Sequence, residues 1–384
     1  MESQRLSEVI TMCTIPKIVE RNKDIEHVMH ASSNYGSFYQ GKRKNKLFSM
    51  LVTTDIHECP VQLGAAVDYL NHYDAIDCGI CLGDVQQSNF EKTDGTWYYN
   101  AISHTKKPFM TVIGNHDVGN SRDPKISGSS QEAYEKFIRP TDSLSGIEGR
   151  DAPYFVKLFD EFKIAIVGLD LYGDPSEIGE DGNYRILRGM ITITQRQVDW
   201  FCKTLSEIPE GYNLIVAMHT FPYDADVTEC AWSQKESKIF YPQEAPYGDD
   251  NMLTDIVDAW VRGDRLCADY APQETRYLPT LHVECDFTAR GEGIFATYAV
   301  GHHHKDIQGK CKKYPYQNVI VFPSTANDGW QNYCSDLPRE KGTRAEDAIT
   351  VMSVATDKRQ IRLVRVGSNI TMDMVERKYC VIDY

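Results

Sequence analysis

The sequence is poor in the features that mark membrane, secreted and nucleic-acid-binding chains. Nothing in it approaches eighteen consecutive apolar residues, so no transmembrane helix is expected. Residues 1–18 carry Glu2, Arg5, Glu8 and Lys17 among short apolar pieces, with no basic segment leading into an apolar one. No signal peptide is therefore expected, and the chain reads as cytoplasmic. Positive charge is scarce, at 41 Lys and Arg against 55 Asp and Glu, for a net charge of −14. Nucleic acids and anionic membranes are usually met by a basic surface, so neither is an expected partner. That is an argument from bulk charge, since bound divalent metals would make a local site positive. The eleven cysteines lack the dense spacing of a small disulfide scaffold, which points to free thiols in a reducing compartment. Cys78 and Cys81 form a C-x-x-C, but it lies in an apolar run that reads as a buried strand.

What is present is a chain of 384 residues with 41% apolar content, enough for one large domain or two ordinary ones. Residues 1–44 read as an N-terminal arm and linker. Ile18, Val19, Ile25, Val28 and Met29 share a helical face there, and Lys42-Arg43-Lys44 sits in a polar stretch that reads as a solvated linker. The arm is a candidate for homo-oligomerisation. The main domain is expected over 45–384. Strand-like runs cover 47–53, 76–82, 109–113, 163–169 and 214–217, with helices over 61–70 and 194–205. Thr194 and Gln197 suggest a capping box. Hairpins are expected around Asp160-Glu161 and, within 345–368, around Asp357-Lys358. Runs without alternation suggest strands buried on both faces. The expected fold is mixed α/β: two facing mixed β-sheets flanked by helices, a βαββα-type sandwich.

Each strand-like run ends in a polar cluster. Leu51 to Thr54 leads into Asp55-Ile56-His57, and Cys81-Leu82 into Gly83-Asp84. Val112-Ile113 leads into Gly114-Asn115-His116-Asp117, residues 215–218 into His219, and Ala299-Val300 into Gly301-His302-His303-His304. Side chains at the carboxyl ends of adjacent strands converge on one sheet edge. In an extended backbone, Asp55 and His57 would share a side, as would His302 and His304. Gly83, Gly114 and Gly301 would permit close backbone approach. Imidazoles, carboxylates and one amide oxygen, without thiolates, suit Mn, Fe, Zn or Ni and argue against a closed structural zinc site.

These five blocks, in this order over about residues 46–325, resemble calcineurin-like metallophosphoesterases. The resemblance implies hydrolysis of a phosphate ester by in-line attack of a hydroxide bridging two divalent metal ions. Asp55, His57 and His304 would hold the first metal and Asn115, His219 and His302 the second. Asp84 would bridge them, and His116 would serve as general acid or as a donor to the phosphate. His303 is expected to point away from the metals, Asp117 to cap a turn, Glu58 to be a solvated charge, and Cys59 to pack. Serine/threonine protein phosphatases of this superfamily read G-D-x-x-D-R-G, whereas Gln87 occupies the second Asp position here and the Arg is missing. That disfavours a phosphoprotein substrate and weakens the expected support of His116. Purple acid phosphatases have a metal-binding Tyr at the position of Gln87, so no iron–tyrosinate colour is expected.

The expected substrate is a small phosphodiester or nucleotide-like ester. Residues 220–292, rich in Tyr, Trp, Asp and Glu, would form a specificity insertion between two ligand blocks. Arg122, Arg185 and Arg188 are candidate phosphate clamps. Two rivals stand beside this reading: a nuclease of the same superfamily, and an assembly protein of a virus tail or envelope with an accessory metal site.

Overall fold

Alternate residues of the apolar runs are buried on opposite sides, and this dictates a layered structure. The computed structural model describes residues 47–88, 90–173, 177–222, 224–229, 251–272, 278–326, 346–367 and 379–384. The expected N-terminal arm lies outside the described residues. The strands are, in chain order, β1 (Leu47–Thr53), β2 (Cys78–Cys81), β3 (Phe109–Thr111), β4 (Phe155–Phe159), β5 (Ile164–Gly168), β6 (Asn213–Ala217), β7 (Ala225–Glu229), β8 (Arg265–Tyr270), β9 (Leu281–Asp286), β10 (Ile294–Val300), β11 (Ile307–Cys311), β12 (Asn318–Val321), β13 (Ala348–Ala355), β14 (Gln360–Gly367) and β15 (Tyr379–Asp383). The longer helices are α1 (Pro60–His72), α2 (Thr96–Ile102), α3 (Gln195–Glu207) and α4 (Met252–Arg262).

One sheet has the order β15-β14-β13-β1-β2-β3, with β1, β2 and β3 parallel and the other pairs antiparallel. The second has the order β4-β5-β6-β10-β12-β11-β7, with a parallel centre from β5 to β12 and antiparallel edges. Phe48, Met50 and Val52 of β1 join Ile164, Ile166, Ile215 and Ala217 in the core between the sheets. The alternate residues Leu47 and Leu51 pack outward with Leu63, Val67 and Leu70 of α1. On the other sheet, Val167, Leu214 and Val216 pack outward with Phe201 and Leu205 of α3 and Ile256 and Trp260 of α4. The result is a helix–sheet–sheet–helix sandwich, as its runs of non-alternating apolar residues require.

Cys78 joins the core between the sheets and Cys81 the core under the helices. Three residues apart on a strand, they project from opposite faces and cannot chelate one ion. The capping box at Thr194 is only half made. The Thr194 hydroxyl accepts the Gln197 N–H at 3.2 Å. The Gln197 side chain instead bonds both backbone groups of Asp170. Gln197 is buried, and satisfying main-chain groups just past β5 outweighs a reciprocal cap. Within 220–292, α4 and the hairpin of β8 and β9 are committed to the outer layer of the seven-stranded sheet.

Trp260 is the largest side chain of that outer layer and has no exposed surface. Its indole N–H donates to Leu205 O at 2.9 Å. Trp260→Ala should lower unfolding stability by about 3–5 kcal/mol while leaving the metal content of the folded protein unchanged. Urea titration and elemental analysis of the same preparation check both halves.

Candidate metal centre

The strand ends of both sheets meet at one edge of the sandwich. Asp55 and His57 follow β1, Asp84 follows β2, and Asn115 and His116 follow β3. His219 follows β6 and His302 and His304 follow β10, so the second sheet supplies three imidazoles. All eight residues come together. Three groups have ligand atoms within 4.8 Å of one another: Asp55, His57 and His304; His57, Asp84 and His116; and Asp84, His219 and His302.

In the first group, His304 Nε2 is 3.1 Å from Asp55 Oδ1 and 3.3 Å from His57 Nε2. In the last, Asn115 Oδ1 is 3.0 Å from His302 Nδ1 and 3.2 Å from His219 Nε2, with these two nitrogens 3.3 Å apart. Asp84 Oδ2 lies between, 3.1 Å from His219 Nε2 and 3.9 Å from His57 Nε2. Donors about 2.1 Å from one metal at angles of about 90–110° stand roughly 3.0–3.4 Å apart. The spacing is that of ligand atoms around a shared cation.

The carboxylates are divided in the same sense. Asp55 Oδ2 accepts from the Thr54 hydroxyl and from His302 N, while Oδ1 is buried and accepts no well-directed hydrogen bond. Asp84 Oδ1 accepts from His116 N at 2.8 Å, which leaves Oδ2 for the cluster. Two imidazoles are set by backbone carbonyls: His219 Nδ1 is 2.7 Å from Leu82 O and His57 Nδ1 is 3.3 Å from Gln86 O. Donation from Nδ1 turns each Nε2 lone pair inward, as metal-ligating histidines require. The orphaned Oδ1 and the confronted nitrogens fit divalent cations.

Strand periodicity does not bring the ligands together. Asp55 and His57 have φ of 50° and 46°, and His302 and His304 have φ of 67° and 56°. Among the described residues ten non-glycine residues have positive φ, and five are Asp55, His57, Asp84, His302 and His304. Each such conformation costs about 1–3 kcal/mol, and strain concentrated on one constellation marks a functional site. The neighbouring glycines are required by crowding. A β-carbon at Gly114 would stand 2.2 Å from Asp84 Oδ1, and one at Gly301 would stand 1.9 Å from Thr54 Oγ1.

Burial opposes ionisation of Asp55 and Asp84, but the surrounding histidines outweigh it and hold both below the usual carboxylate range. Burial lowers His57 to about 4. Burial would lower His219 too, but Asp84 and Asp55 prevail and push it up to about 9. Burial and the adjoining Asp84 charge raise Asp117 to about 7.

Asp117 does more than cap its turn. Its Oδ2 accepts from the N–H groups of Gly114 and Asp84, and its Oδ1 from that of Gln86. One buried carboxylate thus clamps the two loops. Among the described residues, Ser88 rather than Gln87 meets His116, with Oγ 2.7 Å from Nδ1. Ser88 is the site residue that sequence reasoning missed. It stands four positions after Asp84, and a φ of 57° turns it inward. No spacing rule announces such a turn.

His303 stacks on Phe221, with ring centroids 4.6 Å apart. Glu58 is half-buried rather than solvated, because φ of 59° folds it back to bond Val85 O. Cys59 packs against the α1 core. Arg122 bonds Tyr184 O, Arg185 lies 3.5 Å from Glu177, and Arg188 is buried over the Tyr184 ring. Arg122 ties the 177–190 segment to the loop after His116, with backbone bonds from Tyr184 N to Arg122 O and Arg188 N to Ser121 O beside it, while the contacts of Arg185 with Glu177 and of Arg188 with Tyr184 lie within the segment.

A family model described as calcineurin-like phosphoesterase matches residues 48–268, more than half the chain. The chain belongs to the calcineurin-like phosphoesterase family. Members of this family are metal-dependent, and the clusters above are this member's candidate metal ligands. No curated protein matches the sequence. Among solved structures, a purple acid phosphatase from yellow lupin (Lupinus luteus) seeds is similar at TM-score 0.45 and 12% identity, covering 88% of this chain and 54% of that one. The chain thus spans about half the length of the lupin enzyme. PhoD is similar at TM-score 0.43 and 11% identity, over 88% of this chain and 68% of that one. The phosphopantetheinyl hydrolase of Mycobacterium tuberculosis gives 0.37 and 16%, over 73% and 91%. Family membership stands on the domain match rather than on these distant likenesses. Among the described residues, no helix is long and apolar enough to cross a membrane.

Two outcomes test this geometry. Gly301→Ala places its β-carbon against Thr54 and 2.7 Å from Asp55 Oδ2, so it should lower the metal-to-protein ratio while the chain stays folded. Elemental analysis beside circular dichroism measures both. With His219 at about 9, a stripped site holds a proton at neutral pH that a metal must displace. Adding zinc to stripped protein at pH 7.5 should release protons, and affinity should climb as pH rises toward 9. Affinity independent of pH would contradict the His219 assignment.

Proposed function

We propose that this family member is a dinuclear metal-dependent phosphoesterase acting on a small phosphodiester or nucleotide-like ester. One observation carries the reading: Asp84 Oδ2 belongs to two ligand clusters at once. Asp55, His57 and His304 would hold one ion and Asn115, His219 and His302 the other, with Asp84 shared. Imidazole, carboxylate and amide donors suit Mn, Fe, Zn or Ni. Two such ions, when bound, supply a hydroxide nucleophile and offset charge on the phosphoryl oxygens.

The protein's own groups supply the rest. His116 Nε2 lies 4.0 Å from Asp84 Oδ2, and its ring is partly exposed, so it can reach a bound ester. Asp117 fixes the spacing of the loops that carry Asp84 and His116. Gln87 in the position of the protein-phosphatase Asp, with the Arg missing, favours a small ester over a phosphoprotein. Specificity is assigned to the part of 220–292 next to His219, where Phe221 stacks on His303, because α4 and the β8–β9 hairpin are committed to the outer layer. Residues 1–44 are proposed to mediate homo-oligomerisation. The net charge of −14 speaks against a nuclease.

Elemental analysis, and reactivation of stripped protein with Mn, Zn or Ni across a panel of mono- and diesters, tests the reading. Two ions per chain and restored diester hydrolysis are expected; less than one ion with no regained turnover sinks it. Asp84→Asn removes the charge both clusters share while keeping an oxygen for His116 N. It should abolish turnover and weaken at least one ion. Near-normal hydrolysis by the Asn variant refutes the bridging role.

A further inference from the structure

Thr54 stands between the end of β1 and the candidate ligand Asp55, and neither residue has any exposed surface. Its N–H donates to the Thr325 hydroxyl and its carbonyl accepts from Thr325 N, which ties it to the chain after β12 on the other sheet. Its own hydroxyl stands 2.6 Å from Asp55 Oδ2. That oxygen also meets His302 N at 2.9 Å. An amide N–H can only donate and an ionised carboxylate can only accept, so both contacts run into Oδ2. Gly301 closes over the pair: a β-carbon there would stand 1.9 Å from Thr54 Oγ1 and 2.7 Å from Asp55 Oδ2. Rotation about the Cβ–Cγ bond carries both carboxylate oxygens together, so a pinned Oδ2 fixes the direction of Oδ1. Oδ1 lies 3.1 Å from His304 Nε2 and 3.9 Å from His57 Nε2, among the other candidate ligands of the first ion.

We propose that Thr54 is a positioning residue for the first metal ion: its hydroxyl, with the His302 N–H, engages Asp55 Oδ2 and leaves Oδ1 as the one oxygen that Asp55 offers the metal. The proposal rests on the assignment of Asp55, His57 and His304 to that ion. It concerns the oxygen turned away from the metals, so the contact is compatible with a filled site. Without the hydroxyl, a buried and charged Oδ2 keeps a single donor, and the carboxylate is free to turn. Outer hydrogen bonds to ligating carboxylates orient them, and losing one costs about 10–100-fold in metal affinity. Thr54 bonds no side chain of Asn115, His219 or His302, so the loss belongs to the first ion alone.

The test is zinc titration of stripped, full-length protein against a competing chelator, in two backgrounds. His219→Ala breaks the second cluster and leaves the first ion to be read; His304→Ala does the converse. In the His219→Ala background, Thr54→Ala should weaken zinc binding by about 10–100-fold, and Thr54→Ser, which keeps the donor, should bind as tightly as the background. Thr54→Val, of the same shape without a donor, should lose at least as much as alanine, and it carries the comparison should the alanine variant not fold. In the His304→Ala background, none of the three should change zinc affinity. A purely structural role for Thr54 would weaken both ions alike. Equal loss in the two backgrounds, no loss in the first, or a serine variant as weak as alanine would each overturn the proposal. A His219→Ala protein that binds no zinc overturns the first-ion assignment and the proposal with it. Wild type that binds two zinc ions and hydrolyses no ester sinks the phosphoesterase reading instead, and leaves the role of Thr54 to be judged by the titrations.

Discussion

The structure turns on a crowd of inward lone pairs that only cations can relieve. Asp55 Oδ1, Asp84 Oδ2, Asn115 Oδ1 and four imidazole nitrogens point into one buried space, with neighbouring atoms 3.0–3.9 Å apart. Without a metal this arrangement stores electrostatic repulsion, eased in part by the proton held between Asp84 and His219. A cluster of this kind persists only if the surrounding structure over-determines it. The sandwich does so from both sides. The six-stranded sheet delivers the carboxylates, the amide and His57, and the seven-stranded sheet delivers the other three imidazoles, so the centre exists only where the two sheets are locked in register.

That lock is built from hydrogen bonds that cross between the sheets at the site itself. His302 N donates to Asp55 Oδ2 at 2.9 Å, and His219 Nδ1 meets Leu82 O at 2.7 Å. Thr54 and Thr325 exchange two bonds, Thr54 N to the Thr325 hydroxyl and Thr325 N to Thr54 O. Asp55 and His219 are thus each tied to a backbone group of the opposite layer. Left-handed residues at five candidate ligand positions cost several kcal/mol together at about 1–3 each, and the apolar core between the sheets is the reservoir that offsets them.

The layers were legible because doubly buried strands leave unbroken apolar runs. β1 coincides with the run at 47–53, and β5 and β6 lie within one residue of theirs or inside them. The candidate ligands could be picked out because each such run stops at a polar cluster, and the structure brings those clusters together. What the sequence hides is how the chain turns after the strand ends. Asp55 and His57 were expected to share a side by strand alternation, but β1 has already ended at Thr53 and a left-handed path carries both inward. Gln197 looked like a capping partner because its offset from Thr194 was right. Its burial beside Asp170 is a tertiary fact that no local offset encodes.

The same limit explains the partner of His116. Counting from Asp84 leads to Gln87, since relatives place their supporting residue at that offset. In space the relevant distance is set by the path between Asp84 and Ser88, where both ends have positive φ and the Asp117 carboxylate holds the N–H groups of Asp84 and Gln86. With those anchors fixed, the chain brings the Ser88 hydroxyl to Nδ1 and leaves the Gln87 amide aside. A side chain one position later thus occupies the place a carboxylate fills elsewhere, with a group that can donate where a carboxylate only accepts. The Asp117 clamp holds this loop geometry through the backbone N–H groups of Asp84, Gln86 and Gly114, which no side-chain exchange at positions 87 or 88 removes.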